Sequence, residues 1–227
     1  MKLLEFFFPR QCVGCSVSWA YLCAVCKKTL QPHPELCPCC HKFSVNGRSC
    51  LDCRINRDWF LDGIMIPFAY TDLIKKLILK LKYAHKKDIG WFLAERLALA
   101  VYCNSELKNI IVSYVPTHWR RQYIVKWYNQ SKILACQLAD VLQVPLWALV
   151  RKDLRTRSQA WLQRIQRLEN LNKAFSLRDD VALRGDETIL LVDDVTTTGS
   201  TLNEVAKVLK RTFPKLSVWG IVVARSA

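Results

Sequence analysis

The sequence predicts an α/β protein in which an N-terminal zinc ribbon module precedes a doubly wound, mainly parallel sheet. Three observations lead to this prediction. Nine of the eleven cysteines lie between residues 12 and 53. Downstream, short apolar runs alternate with segments of helical periodicity, the pattern of a parallel sheet with helices on both faces. One apolar run ends in two acidic residues, where open α/β sheets bind their ligands. We therefore expect the module over residues 1–56 and the sheet domain over 57–227.

The composition is that of a folded protein in a reducing compartment. Apolar residues make up 51% of the 227 residues, enough for a sizeable core, which excludes intrinsic disorder. No window reaches the roughly 18 uncharged apolar residues of a membrane span. The apolar run before Pro9 is interrupted by Glu5 and is too short for a signal peptide. We therefore expect no transmembrane segment and a cytoplasmic location, where disulfides are rare.

Eight of the clustered cysteines form four Cys-x-x-Cys pairs, each able to hold a tetrahedral ion from a tight turn. Two pairs complete a four-cysteine site, so four pairs predict two structural zinc ions. Sequential pairing gives a double zinc ribbon, and interleaved pairing is the open alternative. A redox role is disfavoured because thioredoxin-like motifs do not come in fours. The predicted ligands are Cys12, Cys15, Cys23, Cys26, Cys37, Cys40, Cys50 and Cys53. Cys39 is a spare, and helical patterns around Cys103 and Cys136 predict core positions.

Apolar periodicity assigns the elements of the sheet domain. A strand is expected within residues 59–70, and a helix over 72–83 has apolar positions at helical spacing with lysines on its other face. The remaining assignments are helices at 91–101, 130–141 and 202–211, and strands at 110–115, 146–150, 189–192 and 218–224. Right-handed crossovers place the carboxyl ends of the strands, and the site with them, on one edge.

Residues 189–202 carry the clearest functional signal. Asp193 and Asp194 follow a four-residue apolar strand, and a hydroxyl turn (residues 196–201) with one glycine leads into a helix. Such a turn can aim backbone N–H groups and hydroxyls at one anion, while the carboxylates receive a diol or a divalent metal. The alternative is an ordinary polar turn with an N-capping acidic pair, but adjacent carboxylates repel unless something cationic or hydroxyl-rich receives them. The sequence therefore predicts a ribose 5-phosphate site.

This stretch resembles the phosphoribosyl pyrophosphate (PRPP) motif of type I phosphoribosyltransferases. The resemblance implies that the carboxylates accept the ribose hydroxyls and help to hold Mg²⁺. It also implies that the hydroxyl turn wraps the 5′-phosphate, with glycine allowing close backbone approach. The implied PRPP-binding residues are Asp193, Asp194, Thr196, Thr197, Thr198, Gly199, Ser200 and Thr201, with Thr196 at the sharpest part of the turn.

A cysteine ribbon ahead of a PRPP motif resembles the ComF family of competence-associated proteins over nearly the whole chain. Shorter matches are Thr156-x-x-Gln159-x-x-Leu162, Arg167-x-x-Asn170 with Phe175, Lys82-Tyr83 and Asn129-Gln130. The chain departs from the Arg-Gly-Phe of the family before Asn129, where it has Lys126-Trp127-Tyr128. By resemblance, Thr117 and His118 belong to a loop that receives pyrophosphate with backbone N–H groups.

The net charge of +15, from 34 basic and 19 acidic residues, favours nucleic acid, phosphorylated ligands or anionic lipid as partners. Residues 151–173 form a basic stretch with an embedded tryptophan, which can follow a phosphodiester backbone and stack a base. A solvated helix face with the tryptophan packed inward is the equal alternative. The candidate DNA-binding residues are Arg151, Lys152, Arg155, Arg157, Trp161, Arg164 and Arg167. A second basic group, which solvation also explains, comprises Lys75, Lys76, Lys80, Lys82, Lys86 and Lys87.

Three functions compete. The ComF resemblance implies a cytosolic competence protein that helps to handle incoming single-stranded DNA during natural transformation, with a PRPP site whose catalytic activity stays open. The second is an active phosphoribosyltransferase that transfers ribose 5-phosphate to an unknown nitrogen nucleophile and releases pyrophosphate. That reaction depends on positioned Mg²⁺ and charge, so it needs no strong general base. The third is an adaptor that binds a protein partner through the ribbon and responds to PRPP.

Overall fold

The computed structural model describes residues 10–81, 87–116, 129–152 and 174–226. Two short helices, α1 Ala24–Lys28 and α2 Leu51–Asn56, lie in the cysteine-rich part. The following elements are β1 Gly63–Met65, β2 Phe68–Ala69, α3 Asp72–Leu81, α4 Lys87–Tyr102, β3 Ile110–Tyr114, α5 Gln130–Leu142, β4 Val150–Lys152, β5 Phe175–Leu177, β6 Thr188–Thr196, α6 Ser200–Thr212 and β7 Ser217–Arg225. Within these residues, no helix is both long and apolar enough to cross a membrane.

A parallel sheet with the strand order β1-β7-β6-β3 forms the centre of the fold, and β2 continues the outer edge beside β7. The longest pairing joins β6 to β7, from Thr188 opposite Ser217 to Thr196 opposite Arg225. Both strands are covered on both faces, which explains their nearly continuous apolar sequences. The predicted α/β class with a mainly parallel sheet is confirmed.

The sheet separates two apolar layers because successive side chains of a strand point to opposite faces. On one face, Leu190 and Val192 of β6 pack with α3, α4 and α5. On the other, Ile189 and Leu191 pack with α6. The sheet is therefore wound on both sides, as predicted, and the described residues place three helices on one face and one on the other.

The predicted strand at 146–150 is wrong. Leu146 makes a single parallel bridge with Val112 of β3. The N–H of Val112 donates to Pro145 O, and the N–H of Trp147 donates to Val112 O. The chain then leaves the sheet, and β4 begins only at Val150, where it pairs antiparallel with β5. Periodicity locates the apolar residues here but cannot tell which strand they pair with.

The first and third Cys-x-x-Cys pairs lie in small loops, each closed by an antiparallel bridge, Gln11 with Ser18 and Leu36 with Phe43. The second and fourth pairs lie at the start of α1 and α2. The core position predicted for Cys103 is wrong, because α4 ends at Tyr102 and leaves this side chain exposed. Cys136, on α5, is half-buried.

Candidate functional site

The predicted sugar-phosphate segment lies between β6 and α6, at the carboxyl edge of the sheet. β6 continues beyond its predicted end at residue 192, so Asp193 and Asp194 lie within the strand. Its pairing with β7 reaches Thr196, opposite Arg225, and these additional bonds carry the strand past the acidic residues. α6 begins at Ser200, earlier than predicted.

One oxygen of each carboxylate is held by the protein. Oδ1 of Asp193 accepts hydrogen bonds from the hydroxyl of Ser131 at 2.7 Å and from the N–H of Asp194 at 2.9 Å. Oδ1 of Asp194 accepts the N–H of Val195 at 2.8 Å. No ion pair from the described residues reaches either carboxylate. Burial and the neighbouring Asp194 charge raise the pKa of Asp193 to about 7, although the Ser131 hydroxyl opposes them. A bound cation or hydroxyl donor would stabilise this pair.

Gly199 is the N-cap of α6 and has a φ of +78°, in the left-handed region that favours glycine. A Cβ at this position would lie 3.0 Å from Cδ1 of Ile64 and 3.1 Å from the ring of Trp59. Glycine is therefore required by backbone conformation and by packing against the protein. The position predicted for Thr196 at the sharpest part of the turn is wrong. Thr196 is the last residue of β6, and its buried hydroxyl oxygen accepts a hydrogen bond from the N–H of Gly199 at 3.0 Å.

Two consecutive carbonyl oxygens of the hydroxyl turn are held on the β7 side. Thr196 O accepts the N–H of Ser226 at 2.9 Å, and Thr197 O accepts Nε–H of Arg225 at 2.7 Å. Because C=O and N–H of one trans peptide point in opposite directions, the N–H groups of Thr197 and Thr198 both point away from β7. Neither donates a hydrogen bond to a described residue. Successive N–H groups on one side of a turn form an anion-binding concavity.

The side chains and the helix add to this concavity. The Thr198 hydroxyl donates to Oγ of Ser200 at 3.0 Å, so two hydroxyls stand together at the start of α6. The amino end of a helix carries partial positive charge and binds phosphate readily. The hard oxygens of the carboxylate pair suit Mg²⁺. The described residues thus fit both groups that the PRPP motif implies, a phosphate on the turn and a metal or diol on the carboxylates.

The structure groups the eight predicted zinc ligands in sequential order. The first cysteine cluster is Cys12, Cys15, Cys23 and Cys26, and the second cysteine cluster is Cys37, Cys40, Cys50 and Cys53. Within each cluster all four sulfurs lie within 4.8 Å of one another. The sulfurs of Cys15 and Cys23 are 3.6 Å apart, and those of Cys40 and Cys50 are 3.7 Å apart. Sulfurs bound tetrahedrally at about 2.3 Å from zinc are about 3.8 Å apart. Both clusters therefore fit a zinc ion, and sequential pairing is the arrangement that the fold forms.

Backbone N–H groups point at the first sulfur of each cluster. The N–H of Cys23 lies 3.4 Å from the sulfur of Cys12, and the N–H of Cys50 lies 3.4 Å from that of Cys37. Burial raises the pKa of the Cys12 thiol, but the backbone N–H groups outweigh it and lower this pKa to about 6. The same balance lowers the pKa of Cys37 to about 7. The metal-binding thiolate form is therefore favoured at one position in each cluster.

The other predicted site residues divide between the described and undescribed parts of the chain. Outside the described residues lie Thr117, His118, Arg155, Arg157, Trp161, Arg164, Arg167, Lys82 and Lys86. Arg151 and Lys152 lie in β4, where Arg151 pairs with Asp179 at 3.0 Å and Lys152 lies over the Phe175 ring. Three lysines on α3 are exposed and form no ion pair with a described residue; they are Lys75, Lys76 and Lys80.

Three residues that contact the site are not singled out by the sequence. Ser131 bonds to Asp193, Arg225 bonds to the hydroxyl turn, and Trp59 packs where a side chain of residue 199 would lie. Of the three, Arg225 could have been noticed in the sequence, because it is a charged residue directly after the apolar run of β7. The other two lie far from residue 199 in the chain, and only the fold brings them close.

Comparison with known proteins gives relatives for both parts of the chain. The model of the phosphoribosyl transferase domain family matches residues 129–226, from the start of α5 to the end of β7. Competence protein F of Haemophilus influenzae is 30% identical over 96% of this chain and 99% of its own length. DNA utilization protein YhgH of Escherichia coli is 31% identical over 84% of each chain. Competence protein ComFC of Streptococcus pneumoniae is 26% identical over 83% of this chain and 81% of its own.

Proposed function

This chain belongs to the ComF family of competence-associated proteins, and from this premise we propose that it helps to handle incoming single-stranded DNA in the cytosol during natural transformation. The observation that carries the proposal is the match to Competence protein F, which extends over nearly the whole of both chains. The name of the E. coli relative, a DNA utilization protein, also favours a role with DNA. We further propose that the β6–α6 segment binds PRPP with Mg²⁺.

The geometry of the hydroxyl turn supports the PRPP proposal. A 5′-phosphate would accept the N–H groups of Thr197 and Thr198, which point to one side and have no acceptor among the described residues. The ribose hydroxyls and Mg²⁺ would meet the carboxylates of Asp193 and Asp194 on the same strand. Hydrogen-bond donors for the phosphate and carboxylate acceptors for the ribose hydroxyls therefore lie within one short segment, as the binding of a ribose 5-phosphate requires.

Isothermal titration calorimetry with PRPP and Mg²⁺ tests this site. The double variant Asp193→Ala, Asp194→Ala should lose measurable affinity, because it removes the acceptors for the ribose hydroxyls and the metal ligands. Magnesium-free PRPP is the control, and it should bind the wild type more weakly. Equal affinity of wild type and double variant would place the ligand elsewhere.

For DNA, the described surface that best supports the proposal is the exposed face of α3. Its apolar residues Ile74, Leu77 and Ile78 are buried in the apolar layer shared with α4 and α5, and the intervening lysines are exposed. A row of cations on one helix face can follow a phosphodiester backbone. The basic stretch at 151–173 adds a second group of cations along the chain.

Fluorescence anisotropy with a labelled oligothymidine over a salt series tests the DNA proposal. The logarithm of the affinity should fall linearly with the logarithm of the salt concentration, by about 0.7 for each phosphate neutralised. The triple variant Lys75→Gln, Lys76→Gln, Lys80→Gln should make this slope shallower by about 2 if all three lysines contact phosphates.

A matched control removes the same charge outside α3, through Gln at the exposed positions Arg184, Arg211 and Lys215. This control should leave the slope nearly unchanged. Binding that does not depend on salt, or equal slopes in both triple variants, would contradict a DNA surface on α3.

The second candidate function is that of an active phosphoribosyltransferase. It is favoured by the match of residues 129–226 to the phosphoribosyl transferase domain family, since this range contains the whole β6–α6 segment. Release of pyrophosphate from PRPP in the presence of a nucleobase would support the enzyme. PRPP binding without pyrophosphate release across the common bases would favour a ligand-binding role.

A further inference from the structure

Arg225 joins the hydroxyl turn to the second cysteine cluster. It ends β7 and is half-buried, with its Nε donating to Thr197 O at 2.7 Å. Its Nη2 donates to Pro38 O at 3.4 Å and also contacts Nε2 of His41. A guanidinium has donors but no acceptor, so Nε2 of His41 is the acceptor. Pro38 lies between Cys37 and Cys40, and one side chain therefore links a carbonyl of the turn to the loop that carries two cysteines of the cluster.

A second contact runs in parallel. The indole N–H of Trp59 donates to Oγ of Ser49 at 3.0 Å, and Ser49 directly precedes Cys50. The ring of the same tryptophan lies against Gly199, 3.1 Å from the position of a Cβ there. The second cysteine cluster thus reaches the hydroxyl turn from both of its Cys-x-x-Cys pairs.

The first cysteine cluster packs elsewhere. Arg10, beside it, pairs with Asp88 at the start of α4, and Lys27 lies over the ring of Phe92, 5.3 Å from its centre. Cys12 belongs to the apolar layer formed by α3, α4 and α5. In the described part of the chain, no hydrogen bond joins the first cluster to the hydroxyl turn.

We propose that Arg225 is the positioning residue of the hydroxyl turn and that it makes the affinity of the turn for PRPP depend on the second cysteine cluster and not on the first. The inference rests on the proposed binding of PRPP at this turn. By holding Thr197 O, the guanidinium fixes the peptide plane that points the N–H of Thr198 into the anion-binding concavity. The Pro38 carbonyl and His41 hold the guanidinium in turn, because its planar fork satisfies several acceptors in fixed directions.

The experiment compares Arg225→Met and Arg225→Lys with Arg10→Met, the matched control that removes an arginine beside the first cluster. All are measured for zinc content, for melting temperature and for affinity towards PRPP with Mg²⁺ by calorimetry. Arg225→Met should bind PRPP about tenfold more weakly, the loss of one bond worth about 1.4 kcal/mol. Arg225→Lys should stay at least threefold weaker than wild type, because the ammonium carries its donors on one nitrogen and lacks the rigid planar fork that reaches both carbonyls. Arg10→Met should stay within twofold of wild type.

Hydrogen exchange on the ligand-free proteins gives a readout that does not depend on PRPP. In Arg225→Met, the amides that donate hydrogen bonds beside Arg225 should exchange several-fold faster, while those at 12–26 are unchanged; they belong to Cys37, His41, Gly199 and Ser200. Full recovery of affinity in Arg225→Lys would mean that only the positive charge matters and would overturn the positioning role. So would unchanged exchange, or affinity of Arg225→Met within twofold of wild type. A wild type that does not bind PRPP would refute the proposed function, and the exchange data would still decide whether Arg225 couples the turn to the cluster.

Discussion

Alanine at position 199 should destabilise the protein through two separable effects. The backbone there has a φ of +78°, and a residue with a Cβ in the left-handed region costs about 1–2 kcal/mol. The added Cβ would also lie 3.0 Å from Ile64 and 3.1 Å from Trp59, and the indole cannot turn away without losing its bond to Ser49. Overpacking of this kind costs about 1–3 kcal/mol. The free energy of unfolding should therefore fall by about 2–5 kcal/mol.

Gly185→Ala separates the two effects. Gly185 also has a positive φ, +98°, but a Cβ there meets no atom within 4 Å, so only the backbone cost applies. Urea unfolding of both variants should show Gly199→Ala the less stable by about 1–3 kcal/mol. Calorimetry should show weaker PRPP binding for Gly199→Ala alone, because its strain displaces the start of α6. Equal loss of stability in the two variants would refute the argument from packing.

Two further predictions concern the carboxylates and the metal sites. PRPP affinity should fall as the pH drops below about 7, because Asp193 has a pKa of about 7 in the free protein and must lose its proton to bind hydroxyls or Mg²⁺. Asp193→Asn should bind weakly with a shallower pH dependence, and an identical pH profile in both proteins would count against Asp193 as the titrating group. The stability of the fold should depend on pH in the opposite direction to PRPP affinity. The folded state holds the Asp193 proton more tightly than the unfolded chain does. Asp193 therefore stabilises the fold below about pH 4, and this stabilisation is lost as the pH rises through 7. Native mass spectrometry should find two zinc ions in the wild type and one each in Cys15→Ser and Cys40→Ser, because each variant removes a ligand from a different cluster. Two ions in both variants would mean that these cysteines are not ligands.

Much of the fold could be predicted because its signals are local. Helical spacing of apolar residues indicates α3 and α5, and buried parallel strands such as β3 and β7 are continuous apolar runs. The predicted bounds of these elements differ little from those in the structure. The strand predicted at 146–150 was wrong because strand pairing depends on a distant partner, which no local pattern specifies.

The same difference between local signals and distant contacts decides which parts of the candidate site could be predicted. The sequence alone determined the carboxylates, the hydroxyl turn and the four Cys-x-x-Cys pairs, because each is a chemical group repeated at short spacing within one segment. Only the tertiary structure decided that the cysteine pairs group sequentially and that Ser131 holds Asp193. It also decided that Arg225 joins the hydroxyl turn to the second cysteine cluster. The Arg225 contact forms because the register of β6 with β7 places Arg225 opposite Thr196, beside the hydroxyl turn, and no local pattern in the sequence specifies that register.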